Sequence, residues 1–259
     1  MLPPDLSPPR APRRAAVLLA KAAITGTASA EMQVLSQRLA ASGVAQTTRF
    51  AFSEQGSPSL REVLRTLADD GFEDVLLLPL LLPMEPGFRV WIARSVERWR
   101  ATEPQRPWPA VRIAPSPAET DAMDALLREL IEAARDAQVP PEMRQSVPQG
   151  SVVPPQKRRV LVCQGGPCND AGAALIWGHL RNEQKRLNLR TGGDGVMSCK
   201  TTCLGPCNLA PVLQVFPEGT YYGGVDEAGV DRIIARHLCR GEVAEELAYL
   251  PLASRQVLR

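Results

Sequence analysis

Three features of this sequence predict an α/β fold with two domains. A regular alternation of apolar strand-like runs and helical patterns begins at Ala15. Within it, residues 74–82 are apolar on both faces, as in a central parallel strand that is covered by helices on either side. A segment with five prolines, residues 138–157, separates this alternation from a cysteine-rich region. A chain of 259 residues is long enough for each domain to bury its own core.

The predicted domain boundaries follow these shifts in composition. The first 14 residues contain five prolines and three arginines with little to bury, which predicts a mobile tail. The chain is therefore divided into a tail at 1–14, a first domain at 15–137, a linker at 138–157, a second domain at 158–247 and a C-terminal tail at 248–259.

The first domain is predicted to form four strands that alternate with helices. Ser59 and Glu62 have the spacing of a capping box at the start of the second helix. The first helix is expected to place Met32, Leu35 and Leu39 on one side. The last helix, residues 119–137, is expected to bury an apolar stripe formed by Met123, Leu126, Leu127, Leu130, Ile131 and Ala134.

The second domain is predicted to combine a strand at 159–162 with two cysteine loops and a β-hairpin. The hairpin strands, 212–216 and 220–223, flank the turn Pro217-Glu218-Gly219. A helix at 226–238 follows them.

Charge and hydropathy exclude two classes of partner. The 30 basic and 28 acidic side chains give a formal charge of +2, so no attraction for nucleic acid is predicted. The longest apolar run, residues 75–83, has the length of a strand, so no membrane span is predicted. Arg13-Arg14 and the following apolar segment leave a twin-arginine export signal open as an alternative, but Lys21 interrupts that segment. The sequence thus favours the cytoplasm.

The cysteines point to a metal centre. In a reducing compartment, cysteines at ligand spacings are more typical of metal or cluster binding than of disulfides. Cys163 and Cys168 bracket a first cysteine loop, residues 163–168, and Cys203 and Cys207 bracket a second cysteine loop, residues 203–207. Cys199 stands at the same distance before Cys203 as Cys203 does before Cys207, so spacing alone leaves the second pair open.

The chemistry of the two loops favours an iron–sulfur cluster. A [2Fe-2S] cluster needs four thiolates and is tuned by backbone N–H groups that approach its sulfurs. Gly165, Gly166 and Gly205 allow such an approach. A structural zinc site with four thiolates remains an alternative. His179 and His237, the two histidines of the chain, lie in predicted helices outside the loops and are interpreted as surface or core residues.

Both cysteine pairs, the Cys-Leu-Gly-Pro-Cys segment and the hairpin Val215–Gly223 resemble the thioredoxin-like [2Fe-2S] ferredoxins, over about residues 159–247. The same fold occurs in a peripheral subunit of respiratory NADH dehydrogenase. The resemblance implies a [2Fe-2S] cofactor. It also implies a ligand set, with Cys199 as an extra nearby thiol and Cys239 outside the pattern. The implied ligands are Cys163, Cys168, Cys203 and Cys207.

The helix start at Ser57–Leu60, Gly71 and the strand Val75–Leu82 resemble the small sirohydrochlorin chelatases, which insert cobalt or iron into a tetrapyrrole. That family places one histidine after the first strand and one after the central strand. This chain has no histidine at residues 19–22 or 84–88. The resemblance therefore implies a chelatase-like parallel half-domain without the usual chelating groups, and it implies a homodimer because one copy of the half-domain is present.

Three charged residues remain as candidates in the first domain. Glu85 is a candidate metal ligand or catalytic base. Lys21 and Arg89 follow predicted strands and are candidate contacts for tetrapyrrole carboxylates.

The favoured function is a [2Fe-2S] electron-transfer protein with a redox partner protein, in which the degenerate chelatase-like domain serves docking, dimerisation or tetrapyrrole binding. This assignment would link the chain to tetrapyrrole or cobalamin-type metabolism. One alternative is an active cobalt or iron chelatase with a regulatory cluster. Another is an electron-relay or assembly subunit of a larger redox complex.

Overall fold

The computed structural model describes residues 10–22, 29–139, 150 and 153–259, and in it the chain divides into two units. The first unit contains the first sheet and its helices and ends at Ala118. The second unit contains the described residues 21–22, the segment 53–57 and the chain from Glu119 onward. Most of the predicted N-terminal tail and of the predicted linker lies outside the described residues.

The first unit is built on a four-stranded parallel sheet, as predicted, with the strand order β2-β1-β3-β4. Its core contains buried residues of β1, β3 and two helices, among them Val17, Leu64, Leu77 and Ile92. The elements are β1 (Arg14–Ala20), α1 (Ser29–Ala41), β2 (Thr47–Phe52), α2 (Leu60–Asp69), β3 (Asp74–Pro79), α3 (Phe88–Thr102) and β4 (Ala110–Ile113).

The ends of two strands differ from the prediction. Arg14, predicted to lie in the tail, is the first residue of β1, and its Nε donates a hydrogen bond to Asp74 Oδ2 at 2.8 Å. Burial of Asp74 raises the pKa of this carboxyl, but hydrogen bonds from Arg14 and Arg112 outweigh that effect and hold the pKa below its usual value. At the other end, β3 stops at Pro79, so Leu80 and Leu82 are exposed rather than buried in the sheet.

The predicted capping box at the start of α2 is confirmed. The Glu62 N–H donates to Ser59 Oγ at 3.3 Å, and the Ser59 N–H donates to Glu62 Oε2 at 2.6 Å. These bonds satisfy two of the N–H groups that a helix leaves without partners at its start. In α1, Met32 is buried, while Leu35, which the prediction places on the same side of the helix, is 36% exposed.

The prediction that the helix after β4 buries its apolar stripe is wrong. This helix, α4, spans Asp121–Arg135 and has no buried residue. Its apolar stripe is exposed, at 46% for Leu126, 49% for Leu127, 55% for Leu130 and 57% for Ile131. The periodicity correctly identifies an apolar face, but within the described residues nothing covers that face.

The second unit contains a five-stranded mixed sheet with the order β6-β5-β7-β8-β9. Strand β6 runs parallel to β5, and the other neighbouring strands are antiparallel. The elements after α4 are β5 (Arg158–Cys163), α5 (Gly166–Asp170), α6 (Ala173–Arg186), β6 (Val196–Thr201), β7 (Leu213–Phe216), β8 (Thr220–Tyr222), α7 (Glu227–Ile233) and β9 (Ala248–Tyr249).

The predicted hairpin is confirmed as β7 and β8, and the predicted last helix is α7, which continues as a π-helical turn over Ile234–Leu238. The predicted start of the C-terminal tail at residue 248 is wrong, because Ala248 and Tyr249 form β9 beside β8. Among the described residues, no helix has the length and apolar character needed to cross a membrane.

Candidate metal centre

The two cysteine loops lie side by side at one end of the second sheet. The first loop leaves the end of β5 and the second loop follows the end of β6, and these two strands are parallel neighbours. Parallel strands end at the same edge of a sheet, so both loops begin there. The first loop is also joined to the end of β6, since the Gln164 N–H donates to the Thr201 carbonyl at 2.8 Å.

Gly165 packs closely against the backbone of Thr202, just before the second cysteine loop. A Cβ atom on this residue would lie 2.4 Å from the Thr202 carbonyl oxygen and 3.7 Å from Cys163 Sγ. A methyl group cannot occupy that space, because real Cβ atoms essentially never come so close to a backbone oxygen. Gly165 is also the N-cap residue of α5, whose first turns carry Cys168.

Cys163 is held in an environment that favours the thiolate. Its Sγ accepts a hydrogen bond from the Cys168 thiol and from the backbone N–H groups of Gly165 and Leu204. These bonds outweigh burial and lower the pKa of Cys163 to about 6. The pKa of Cys168 is raised, first because its thiol donates to Cys163 and then because it is buried. The loops therefore prepare one thiolate, with a second sulfur in contact with it.

The second cysteine pair lies in the exposed loop beside them. Cys203 and Cys207 are both exposed, and Cys207 begins a 3₁₀ turn that ends at Leu209. Negative charge on Cys207 raises the pKa of Cys168, which indicates that these two sulfurs are near one another. Within the described residues, no three side chains of histidine, cysteine or acidic type converge on a single point as ligands of one metal ion.

The other cysteines lie outside the two loops. Cys199 is half-buried in the middle of the edge strand β6, opposite Leu161. Cys239 is exposed and directly follows the π-helical turn.

Both histidines have structural partners, as expected for surface or core residues. His179 Nε2 lies 2.7 Å from Asp231 Oδ1 and joins α6 to α7. His237 is fully buried, and its Nδ1 lies 2.8 Å from the Tyr222 hydroxyl.

The three charged candidates of the predicted first domain make different contacts. Lys21, which follows β1, forms an ion pair with Glu54. Glu85 is exposed, and its carbonyl accepts the Phe88 N–H at 3.0 Å. Arg89 is exposed in the first turn of α3 and donates to the Ile113 carbonyl at 3.3 Å.

Two residues near the cysteine loops were missed by the sequence reasoning. The carboxylate of Glu54 raises the pKa of Cys163, partly opposing its hydrogen bonds. The Gln55 N–H donates to the Gln164 carbonyl at 3.0 Å, next to Cys163, and Gln55 has a φ angle of 63°. Both belong to the segment 53–57 of the second unit, and no local pattern marks either residue as part of a cysteine site.

The second domain of the chain matches a known family of iron–sulfur proteins. The model of the family described as thioredoxin-like [2Fe-2S] ferredoxin matches residues 149–237. A 2Fe-2S ferredoxin from Clostridium pasteurianum is 36% identical over 99 residues, which cover 35% of this chain and 94% of the relative. The chain belongs to the thioredoxin-like [2Fe-2S] ferredoxin family. This membership confirms the predicted cofactor, a [2Fe-2S] cluster.

The ferredoxin family accounts for the second domain, and a second family model accounts for the first. The crystal structure of a thioredoxin-like [2Fe-2S] ferredoxin from Aquifex aeolicus is 26% identical, with a TM-score of 0.33 over 37% of this chain and 98% of that chain. The CbiX family model matches residues 17–134, which confirms the resemblance of the first domain. A CbiX protein from Marinobacter aquaeolei VT8, named for cobalamin (vitamin B12) biosynthesis, is 20% identical, with a TM-score of 0.37 over 47% of this chain and 97% of that chain.

Proposed function

We propose that this chain is an electron-transfer protein in which Cys163, Cys168, Cys203 and Cys207 hold one [2Fe-2S] cluster. When bound, such a cluster supplies one-electron redox chemistry. The observation that carries the proposal is the environment of Cys163 Sγ, which receives a backbone N–H from each of the two cysteine loops. Backbone N–H groups directed at sulfur stabilise thiolate ligands, so the residues present fit the cluster.

The same contacts support Cys203 and Cys207 over Cys199 as the second ligand pair. The N–H that reaches Cys163 from the second loop belongs to Leu204, which lies between Cys203 and Cys207 in sequence. Cys207 is close enough to Cys168 to raise its pKa. Cys199 instead lies within β6, before the loop begins. We therefore assign Cys199 no ligand role.

Serine substitutions test this assignment. After anaerobic reconstitution of the full chain, Cys203→Ser and Cys207→Ser are expected to lose or strongly alter the visible absorption of the cluster. The control Cys199→Ser should retain the wild-type spectrum, because that thiol is not a ligand. If Cys199→Ser loses the cluster while Cys207→Ser keeps it, the second ligand pair is Cys199 and Cys203.

For the first domain, the proposed role is docking or tetrapyrrole binding rather than metal insertion. Lysine is protonated near neutral pH, and its positive charge repels a divalent cation. Lys21 stands where the chelatases have their first histidine, and its ammonium is paired with Glu54. Arg89 is the better candidate for a tetrapyrrole carboxylate, because its exposed guanidinium contacts a neutral carbonyl and not an acid.

Binding of sirohydrochlorin, followed by its absorption, tests the tetrapyrrole role of Arg89. Arg89→Gln should weaken binding several-fold, because one charge-assisted hydrogen bond is lost. The control is Arg94→Gln, an exposed arginine on the same helix. Equal affinities for the two variants would remove Arg89 from the proposal.

The proposed homodimer uses the exposed apolar stripe of α4. Its expected occupant is α4 of a second copy in antiparallel orientation. The first turn of α4 carries Asp121 and Asp124, and its last turn carries Arg135. A two-fold axis across the middle of the helix would place the acidic end of each copy beside the basic end of the other.

A protein partner that exchanges electrons with the cluster is expected to dock at the exposed second cysteine loop, where Cys203 and Cys207 reach the surface.

The cytoplasm is the proposed location, because a reducing compartment keeps such thiols available as ligands. Cysteine accessibility in cells, measured with a membrane-impermeant thiol reagent, tests this location. If the reagent, added outside intact cells, labels the cysteines of a variant that lacks the cluster, the cytoplasmic location is contradicted.

A further inference from the structure

The C-terminal segment 250–259, called here the C-terminal strap, folds back over the second cysteine loop. Asn208, the residue after Cys207, donates from Nδ2 to the Gln256 carbonyl at 2.7 Å. At the end of the strap, the Arg259 N–H donates to the Tyr249 hydroxyl at 3.1 Å, and the Arg259 guanidinium lies 4.9 Å from the centre of the Tyr249 ring. The strap is thus fixed to the domain directly after the second cysteine loop and at β9.

Two tyrosine rings lie beneath the strap. Tyr221 of β8 and Tyr249 of β9 are direct partners across the antiparallel pair, so their side chains project from the same face of the sheet. The Tyr221 hydroxyl donates to the Leu204 carbonyl at 3.3 Å, within the second cysteine loop. Gly223 leaves room for this arrangement, because a Cβ there would lie 3.0 Å from both Leu209 and the Tyr249 ring.

A cavity of about 610 Å³ lies between the strap, the tyrosine pair and the second cysteine loop. This volume falls in the range of small-molecule sites, roughly 300–1,000 Å³. Its walls are mostly apolar or aromatic and include Pro206, Leu209, Leu250 and Leu252. Such walls suit a flat conjugated ring system better than a strongly hydrated ligand.

The charge of the cavity selects an anion. Among the described residues that line the cavity, Arg255 of the strap is the only ionisable one apart from the two tyrosines, and none of these lining residues is acidic. Arg255 is exposed and makes no hydrogen bond or ion pair with the described part of the chain. A guanidinium without an acidic neighbour can pair with a carboxylate, sulfonate or phosphate of a bound molecule.

We propose that this cavity binds a flat, conjugated small molecule with one anionic group, whose rings lie against the tyrosine pair and whose anionic group pairs with Arg255. Such a ligand would sit beside Pro206 and Asn208, the two residues that flank Cys207 in sequence. The site therefore adds a small-molecule ligand, next to the second cysteine loop, to the cluster and the protein partner proposed above.

Isothermal titration calorimetry with three probes tests the proposal on the full-length, cluster-loaded chain. Naphthalene-2-sulfonate carries both the rings and the anion, 2-naphthol carries the rings alone, and methanesulfonate carries the anion alone. Naphthalene-2-sulfonate is expected to bind about three- to tenfold more tightly than 2-naphthol, because it adds one charge-assisted pair. Methanesulfonate should show no saturable binding.

Two arginine variants locate the bound anion. Arg255→Gln should reduce the affinity for naphthalene-2-sulfonate to that for 2-naphthol and leave 2-naphthol binding unchanged. The matched control is Arg240→Gln, an exposed arginine outside the cavity, which should leave both affinities at wild-type values. Unchanged visible spectra in both variants would show that the fold and the cluster are intact.

Three results would overturn the proposal. The first is an absence of saturable binding of naphthalene-2-sulfonate to the wild-type chain. The second is equal binding of naphthalene-2-sulfonate and 2-naphthol. The third is an equal response of Arg255→Gln and Arg240→Gln, since a probe bound to another apolar surface, such as the α4 stripe, would not distinguish the two arginines.

Discussion

Gly165, in the first cysteine loop, packs closely against the backbone of Thr202, just before the second cysteine loop. Its sequence neighbours suggest only a flexible loop, whereas the 2.4 Å approach of its would-be Cβ to the Thr202 oxygen shows that the side chain must be absent. The sequence pattern predicts that glycines beside the cysteines let the backbone approach a cluster closely. It does not identify the facing atom, because Thr202 is far from Gly165 in the chain and meets it only after β5 and β6 pair.

Gly165→Ala is expected to separate the loops and weaken cluster binding. Overpacking of this kind typically costs about 1–3 kcal/mol of unfolding free energy. Urea unfolding and visible absorption after reconstitution measure the two effects. The control is Gly178→Ala in α6, where a Cβ meets no atom within 4 Å and alanine should be neutral or stabilising by up to about 1 kcal/mol. Equal stability and equal cluster content of the two variants would contradict the account.

The buried imidazole of His237 is expected to make the stability of the second unit depend on pH. Burial is the main cause that lowers the pKa of this imidazole in the folded state, although the nearby Glu218 carboxylate partly opposes it and Arg158 adds to it. The unfolded chain, with a histidine pKa near 6.5, therefore binds the proton more readily than the folded chain. Stability is retained above that pH and falls as the pH drops below it, by at most about 1.4 kcal/mol per pH unit.

Unfolding free energies of wild type and His237→Gln, compared between pH 7.5 and 5.5, test this dependence. In His237→Gln, the unfolding free energy should decrease less below pH 6.5 than in wild type. The control His179→Gln should show the wild-type decrease, because His179 is only half-buried. Identical pH profiles for wild type and His237→Gln would show that this imidazole does not control the acid response.

At the scale of whole elements, features fixed by neighbouring residues were predictable. The capping box of α2 and the hairpin β7–β8 involve residues a few positions apart, and both are confirmed. The burial of α4 was not predictable in the same way. An apolar stripe shows which face of a helix avoids water, but whether another surface covers that face depends on the tertiary arrangement.

The α4 stripe predicts self-association. Leu127→Glu should weaken the proposed dimer at least tenfold, because it would bury a carboxylate in an apolar contact. Analytical ultracentrifugation of the full-length chain measures the monomer–dimer equilibrium. Leu175→Glu on α6 is the matched control, since this leucine is also exposed, at 60%. A wild-type chain that stays monomeric at all concentrations, or two variants that behave alike, would contradict the α4 interface.

For the whole molecule, the sequence was sufficient to predict a chelatase-like parallel sheet followed by a thioredoxin-like ferredoxin domain. Family motifs and hydrophobic patterns carry that information over long stretches. The sequence did not predict that residues 248–259 fold back onto the second domain. Residues 248–259 contain no periodic pattern, yet β9 and the C-terminal strap are fixed by Tyr222, Asn208 and other residues that are distant in sequence.

The decisive measurement for the proposed cluster is the metal content of the anaerobically purified full-length chain, combined with its electron paramagnetic resonance spectrum after reduction. One cluster held by the two cysteine loops predicts two iron atoms and two acid-labile sulfides per chain, visible absorption, and a paramagnetic signal in the reduced state. A colourless chain with one zinc ion per molecule and no such signal would contradict the claim.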